Sequence, residues 1–252
     1  MPTQSRHRQN LLRSAADTTE NMFESRARLG ATPEKVEKAL EFSTEVSDLI
    51  DRHHPDSIPV GRPQTAIAVA MFMQTLEHRQ AIMLLIHHGA RSSAAALIRP
   101  TFEAYYRGIW ALKVATPEQI QNMLDEHPRV PTLDTVLQQL RKTNATRHFA
   151  DYDSWKVSGD YVHSGPLQVS RWLSPTGIES LHPDSDAIDM LELVDFCGLL
   201  AGIGMNEACG QQQPDLESKL TEHTLRRLGR RVVAAYRGPE DACHSASKTN
   251  AT

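Results

Sequence analysis

Three charged residues lie at helical spacing in the otherwise apolar stretch LIRPTFEAYYRGIW. Arg99, Glu103 and Arg107 share one face of a helix, and Tyr106 and Trp110 fall within the same arc of roughly 100°. Guanidinium groups bind phosphate and carboxylate oxygens through paired hydrogen bonds, and a carboxylate between two of them orients both. These residue types at this spacing could bind a ligand if the face is not simply solvated.

Two interpretations of this charged face stay open. It is a solvated helix surface if the Glu103–Arg107 pair only stabilises the helix, by about 0.2 to 0.5 kcal/mol. It is the wall of a cleft in the other interpretation, which the positions of Tyr106 and Trp110 among the charges favour. A stripe of Arg, Glu, Tyr and Trp without Lys, Ser or Gln is more typical of a cleft than of a solvated surface. We favour the cleft.

A proline interrupts the same helix. Pro100 removes one backbone hydrogen bond and clashes with the preceding turn. We therefore expect the regular helix either to begin at Pro100 or to kink near Ala96, which frees a carbonyl group near Arg99.

A second unusual stretch, SGDYVHSG, holds His163 between an aromatic residue and a Ser-Gly corner. A single histidine is usually structural and forms a hydrogen bond in a partly buried place. The small residues around His163 would leave it accessible, however, and imidazole transfers protons near neutral pH. Next to an Arg/Glu cleft, His163 becomes a candidate catalytic group.

The elements that position these residues are predicted to be helices. The 252 residues are 40% hydrophobic, enough for one sizeable core, and no segment alternates with period two for long enough to indicate a strand. The sequence predicts an all-α bundle of about seven helices. Helical periodicity or helix-start signals mark residues 33–51, 63–88, 92–114, 117–126, 132–147, 149–164, 185–209 and 214–236.

We expect a single helical domain over residues 31–237, with the apolar helix 63–88 at its centre. Residues 1–30 are predicted to be a flexible or weakly helical arm, and residues 238–252 a disordered tail. A stripe of small residues around Gly108 should let a neighbouring helix approach closely, and Gly198, Gly202 and Gly204 should form another close-packing surface.

Charge and cysteine content exclude several classes of protein. A formal net charge of −4 argues against broad electrostatic capture of nucleic acid, so any RNA contact would be local. Three cysteines without a C-x-x-C pair indicate neither a disulfide framework nor a zinc ribbon, which fits a reducing cytoplasm. We expect no signal peptide and no membrane-spanning segment. The chain has two pairs of adjacent histidines, His53-His54 and His87-His88. The two side chains of such a pair point in different directions on a helix, so we expect no metal ion and no other cofactor.

The two unusual stretches together carry a family resemblance. The pattern R-P-x-x-E-A-x-x-R-G-x-W begins at Arg99, and Y-V-H-S-G begins at Tyr161. This combination, over about Arg91 to Trp172, resembles uncharacterised bacterial all-helical proteins that are distantly similar to HEPN domains. HEPN domains are helical bundles of toxin–antitoxin and antiphage systems, and many are dimeric, metal-independent ribonucleases.

The resemblance implies roles for individual residues. His163 would be the general base or acid, Arg99 and Arg107 would hold the phosphate, and Glu103 would orient an arginine or the imidazole. Tyr161 and Ser158 would assist, and Tyr106 and Trp110 would contact the substrate. Lys156 stands near the place where the HEPN motif has an arginine, and its ammonium group lacks the planar fork of guanidinium. RNA, a cognate antitoxin or other protein, and a second copy of the chain are the partners implied.

A hypothesis from another class competes with the ribonuclease. The same Arg, Glu and His residues would form a buried network in a non-catalytic helical binding or scaffold module, where they would specify helix register without chemistry. Exposure distinguishes the two hypotheses. An open cleft favours the enzyme, and complete burial with every donor satisfied favours the structural network.

Overall fold

The computed structural model describes residues 33–55, 57–58, 61–125, 130–143, 169–174, 177–178 and 182–223. Within these residues the regular secondary structure is helical, apart from one hairpin whose two strands have two residues each. The elements are α1 (Glu34–Arg52), α2 (Pro63–His87), α3 (Arg91–Lys113), α4 (Pro117–Leu124), α5 (Leu133–Lys142), β1 (Leu173–Ser174), β2 (Gly177–Ile178), α6 (Asp184–Ala208) and α7, described over residues 214–223. The predicted arm, the predicted tail and the predicted helix 149–164 lie outside the described residues.

The helices begin where proline and threonine set their first turns. Pro63 opens α2 and Pro117 opens α4, since the missing N–H of proline has no partner in a first turn anyway. Thr116 and Gln119 form a reciprocal capping box in front of α4. Gly89 takes a left-handed φ of 71° directly after α2, which lets the chain turn back into α3. These local signals explain why the predicted boundaries of α1 to α4 lie within a few residues of the observed ones.

The helix at the centre of the bundle is α6, which corrects the expectation for 63–88. Sixteen of its 25 residues are buried, on all sides of the helix, and it packs against α1, α2 and α3. By contrast, α2 leaves Met73 and Leu84 about half exposed, at 47% and 61%. Both helices are apolar nearly all round, so their sequences alone do not say which one is enclosed.

Glycines let α3 and α6 close on one aromatic ring of α2. Phe72 is fully buried, and a Cβ atom added at Gly108 or at Gly204 would lie 2.6 Å from a carbon of that ring. Gly198 leaves similar room for the side chain of Arg79. The predicted close-packing roles of Gly108, Gly198 and Gly204 are therefore confirmed.

Two local expectations are corrected, and one of the two alternatives for Pro100 is excluded. Helix α3 runs unbroken from Arg91 through Pro100, so the regular helix does not begin at the proline. Helix α5 ends at Lys142 rather than near residue 147. The segment between the predicted helices 149–164 and 185–209, where the sequence indicated no strand, contains the antiparallel hairpin of β1 and β2, in which Leu173 pairs with Ile178. Among the described helices, none has a stretch that is long and apolar enough to cross a membrane.

Candidate functional site

A cleft of about 470 Å³ lies along the antiparallel pair of α2 and α3. Its two walls come from these consecutive helices, and Val130, ahead of α5, closes one side. The lining residues are Met71, Gln74 and His78 from α2, and Arg99, Pro100, Glu103, Ala104 and Arg107 from α3. Spacings of three and four residues on α2, and of four on α3, place each set on one helix face.

The charged residues of α3 form a hydrogen-bonded ladder along one wall. Arg99 Nε donates to Glu103 Oε1 at 3.0 Å, and Arg107 Nη1 donates to Glu103 Oε2 at 2.7 Å. The three side chains are 18–29% exposed, so the ladder is neither a wet surface nor a fully buried network. One carboxylate thus holds two guanidinium groups in the cleft wall. The three side chains together carry a formal charge of +1.

The charge of Glu103 is stabilised by its partners. Burial alone would raise the pKa of this carboxyl group, but the hydrogen bonds from Arg107 and Arg99 and the charges of both outweigh burial and lower it. Glu103 therefore stays ionised at neutral pH. An ionised carboxylate repels anions, and both of its oxygens accept hydrogen bonds from the arginines.

Arg107 also has a donor with no acceptor. Its Nε atom is buried and has no hydrogen-bond partner among the described residues, whereas its Nη1 atom is bonded to Glu103. A buried donor without a partner is destabilising by about 1–3 kcal/mol, more when the group is charged.

Two of the predicted substrate-contacting residues lie in the core instead. Trp110 is fully buried and donates from Nε1 to Gln139 Oε1 at 2.6 Å, and Tyr106 is 7% exposed and stacks on Phe102. Neither residue lines the cleft. The reason is that α3 packs against α2, α5 and α6, so its polar face is narrower than the arc predicted from residue types.

The remaining predicted site residues cannot be placed on this geometry. His163, Lys156, Ser158 and Tyr161 lie outside the described residues. Their roles stay predictions, as do the catalytic roles assigned to the ladder. In the part of the chain that the structure describes, no group of three or more His, Cys, Asp and Glu side chains is arranged to hold a metal ion.

The cleft contains a histidine that the sequence analysis did not single out. His78 lies on the α2 wall, and burial lowers the pKa of its imidazole, an effect that the neighbouring Glu77 partly offsets. The available signal was that the residues Glu77 to Gln80 interrupt an otherwise apolar helix. That interruption showed that α2 has a polar face, but not that this face lies opposite Arg99, Glu103 and Arg107.

A buried polar network occurs elsewhere, between α1, α2 and α6. Arg79 Nε and Nη2 both donate to Asp195 Oδ1, at 3.0 and 2.7 Å, and Nη1 donates to Ser47 Oγ at 2.7 Å. Ser43 donates from Oγ to Asp195 Oδ2 at 2.7 Å and accepts from Arg79 at its carbonyl oxygen. This set, which we call the Arg79 network, is enclosed and paired. It has the properties that the structural hypothesis assigned to the ladder.

The fold and the cleft define an all-helical bundle with an arginine-lined groove between two consecutive helices. A family model described as a family of unknown function, DUF6988, matches residues 72–224. That range is more than half of the chain and includes α3 to α6 with the whole charged ladder, so the chain belongs to this family. Comparisons with curated proteins and with solved structures found no match.

Proposed function

We propose that this protein is a HEPN-like, metal-independent ribonuclease that binds an RNA phosphate in the cleft between α2 and α3 and acts as a toxin or defence component. The observation that supports the proposal is the Arg99–Glu103–Arg107 ladder. It lines an open cleft while only partly exposed, and its one carboxylate holds both guanidinium groups.

Such a cleft suits a phosphodiester better than a neutral ligand. Arg99 and Arg107 present planar donor groups that match phosphate oxygens, and Glu103 holds both side chains in place before the ligand arrives. Partial burial strengthens the attraction compared with a solvated surface. The same groups would stabilise the extra negative charge that develops on phosphorus during cleavage.

Cleavage of RNA without a metal ion needs a base for the 2′-hydroxyl proton and an acid for the leaving 5′-oxygen. In this proposal His163 supplies one of these functions, as the sequence resemblance implies. Tyr161, Ser158 and Lys156 are its proposed helpers.

A second candidate is a non-catalytic module that binds an anionic ligand or partner protein in the same cleft. The observation that favours it is that both arginines are already bonded to Glu103, as they would be in a ladder that mainly stabilises α3. Binding without cleavage is the property that would distinguish this module from the enzyme.

The test is cleavage and binding of RNA by the purified protein in EDTA. The variants are Arg99→Ala, Arg107→Lys and His163→Ala, with Arg52→Ala as a control that removes an exposed arginine of α1 outside the cleft. We expect the wild type and the control to cleave, and the three cleft and histidine variants to lose cleavage. Arg107→Lys keeps the charge but lacks the planar fork, so it separates geometry from charge.

The outcomes separate the two candidates. RNA binding that depends on Arg99 and Arg107, with no cleavage by clean wild-type protein, would favour the binding module. Equal binding by wild type and Arg99→Ala would exclude both. Size-exclusion chromatography with light scattering checks the proposed homodimer, and co-purification from the native host checks for a cognate antitoxin.

A further inference from the structure

His78 lies in the α2 wall of the cleft that carries the charged ladder in its α3 wall. The two helices run in opposite directions from the turn at Gly89, and each rises by about 1.5 Å per residue. His78 and Arg99 lie at nearly equal numbers of residues from that turn. The backbone positions of His78 and Arg99 are therefore at about the same height, and both residues line the cleft.

The surroundings of His78 favour a neutral imidazole. Burial lowers its pKa below the ordinary value of 6.5, and the carboxylate of Glu77 on the same helix opposes this only in part. Across the cleft the charged groups are Arg99, Glu103 and Arg107. A neutral imidazole can accept a proton at pH 7, whereas an imidazolium ion would only add to the positive charge of the ladder.

The geometry points to His78 as the general base of the proposed ribonuclease, accepting the proton of an RNA 2′-hydroxyl group whose phosphate is held by Arg99. This inference rests on the proposed function and assigns its base to a residue outside the Y-V-H-S-G stretch. The identity of the proton donor is not part of this inference.

The step is balanced in atoms and electrons. The O–H bond of the 2′-hydroxyl breaks, its proton goes to His78, and the freed electron pair of the 2′-oxygen forms a bond to phosphorus. The bond between phosphorus and the 5′-oxygen breaks, and the 5′-oxygen takes a proton from the general acid. The products are a 2′,3′-cyclic phosphate and a 5′-hydroxyl end, so no oxidant, metal ion or further reactant is needed.

The test measures kcat/KM for cleavage of a short RNA by wild type, His78→Ala, His78→Gln and His87→Ala. His87 is an exposed histidine at the end of the same helix and lies outside the cleft, so it is the matched control. We expect both His78 variants to lose roughly 100-fold or more, the usual contribution of a general base, and the control to keep wild-type activity. Circular dichroism verifies that each variant is folded, and His78→Gln keeps the size of the side chain if the alanine variant does not fold.

Two further readouts would not respond to a merely structural role. The rising limb of the wild-type kcat/KM against pH should follow a pKa below 6.5, and this limb should disappear in His78→Ala. Added imidazole should restore part of the activity of His78→Ala. Binding of an RNA whose 2′-hydroxyl at the cleavage site is replaced by hydrogen should be the same for His78→Ala and wild type, within about twofold.

Each result bears on a different part of the argument. An active wild type with equally active His78 variants would overturn the assignment of His78 and leave the proposed ribonuclease standing. An inactive wild type would overturn both. A His78→Ala variant that has lost activity, keeps the pH dependence of the wild type and does not respond to imidazole would make His78 structural and would also overturn the inference.

Discussion

Replacing Arg79 by methionine should be among the most destabilising single changes in the bundle. The side chains of Arg79 and Asp195 are each only 2% exposed, and they join α2 to α6. Methionine keeps most of the apolar length of arginine, so the change removes the guanidinium group without opening a large cavity. What remains is a buried carboxylate that has lost its counter-charge.

The expected magnitude follows from the bonds lost. Asp195 loses two charged hydrogen bonds from Arg79 and keeps the one from Ser43 Oγ. Breaking one partner of a buried ion pair is destabilising by about 3–5 kcal/mol, since an uncompensated charge stays in the interior. The free energy of unfolding of a whole domain is about 5–15 kcal/mol, so the loss is a large fraction of the total.

The assay is urea denaturation followed by circular dichroism, with Arg52→Met as the control. Arg52 is an exposed arginine of α1, and its replacement should change the free energy of unfolding by no more than about 0.5 kcal/mol. The double variant Arg79→Met/Asp195→Asn should lose less than the sum of the two single variants, because no charge is left unpaired. A loss below about 1 kcal/mol for Arg79→Met would contradict the argument that the ion pair determines the stability of this interface.

Three further predictions concern the cleft, the core and a helix start. The hydrogen bonds from the arginines lower the pKa of Glu103, so they stabilise the folded protein at neutral pH. This stability is lost as the pH falls from about 4.5 through the lowered pKa. An acid titration of the folded fraction should lack this loss in Glu103→Gln. Gly108→Ala should lower the free energy of unfolding by about 1–3 kcal/mol, because the new Cβ atom would clash with the ring of Phe72. Gly61 has open space around it, so Gly61→Ala should not lower this free energy. Thermal melts of both variants give the comparison. Thr116→Ala removes the cap of α4 and should destabilise by about 1 kcal/mol in the same melts, and an unchanged melting temperature would show that α4 does not need its capping box.

Helix positions were predictable because their signals are local. Thr116 with Pro117, Pro63, and Gly89 each act within one turn of the chain, so the boundaries of α2 and α4 can be read without knowing the fold. The spacing of Arg99, Glu103 and Arg107 is also local, and it predicted a shared face correctly.

The features that could not be predicted depend on which helices pack against each other. Arg79 and Asp195 are 116 residues apart in sequence, and each reads only as a charge that interrupts an apolar helix. Tyr106 and Trp110 were assigned to the polar face because the sequence does not show that neighbouring helices cover them. The same limit applies to His78, whose position opposite Arg99 follows from the packing of α2 on α3.

The position of α6 along the chain affects how the protein is made. A ribosome adds about 5–20 residues per second and releases the N-terminal part first, so α1 to α5 emerge before the helix against which α1, α2 and α3 pack. Until α6 arrives, Phe72 lacks one of the two glycines that enclose its ring, and Arg79 lacks its carboxylate partner. We therefore expect the nascent chain to present unfinished apolar surface until α6 has left the ribosome, well after translation has passed Ala208.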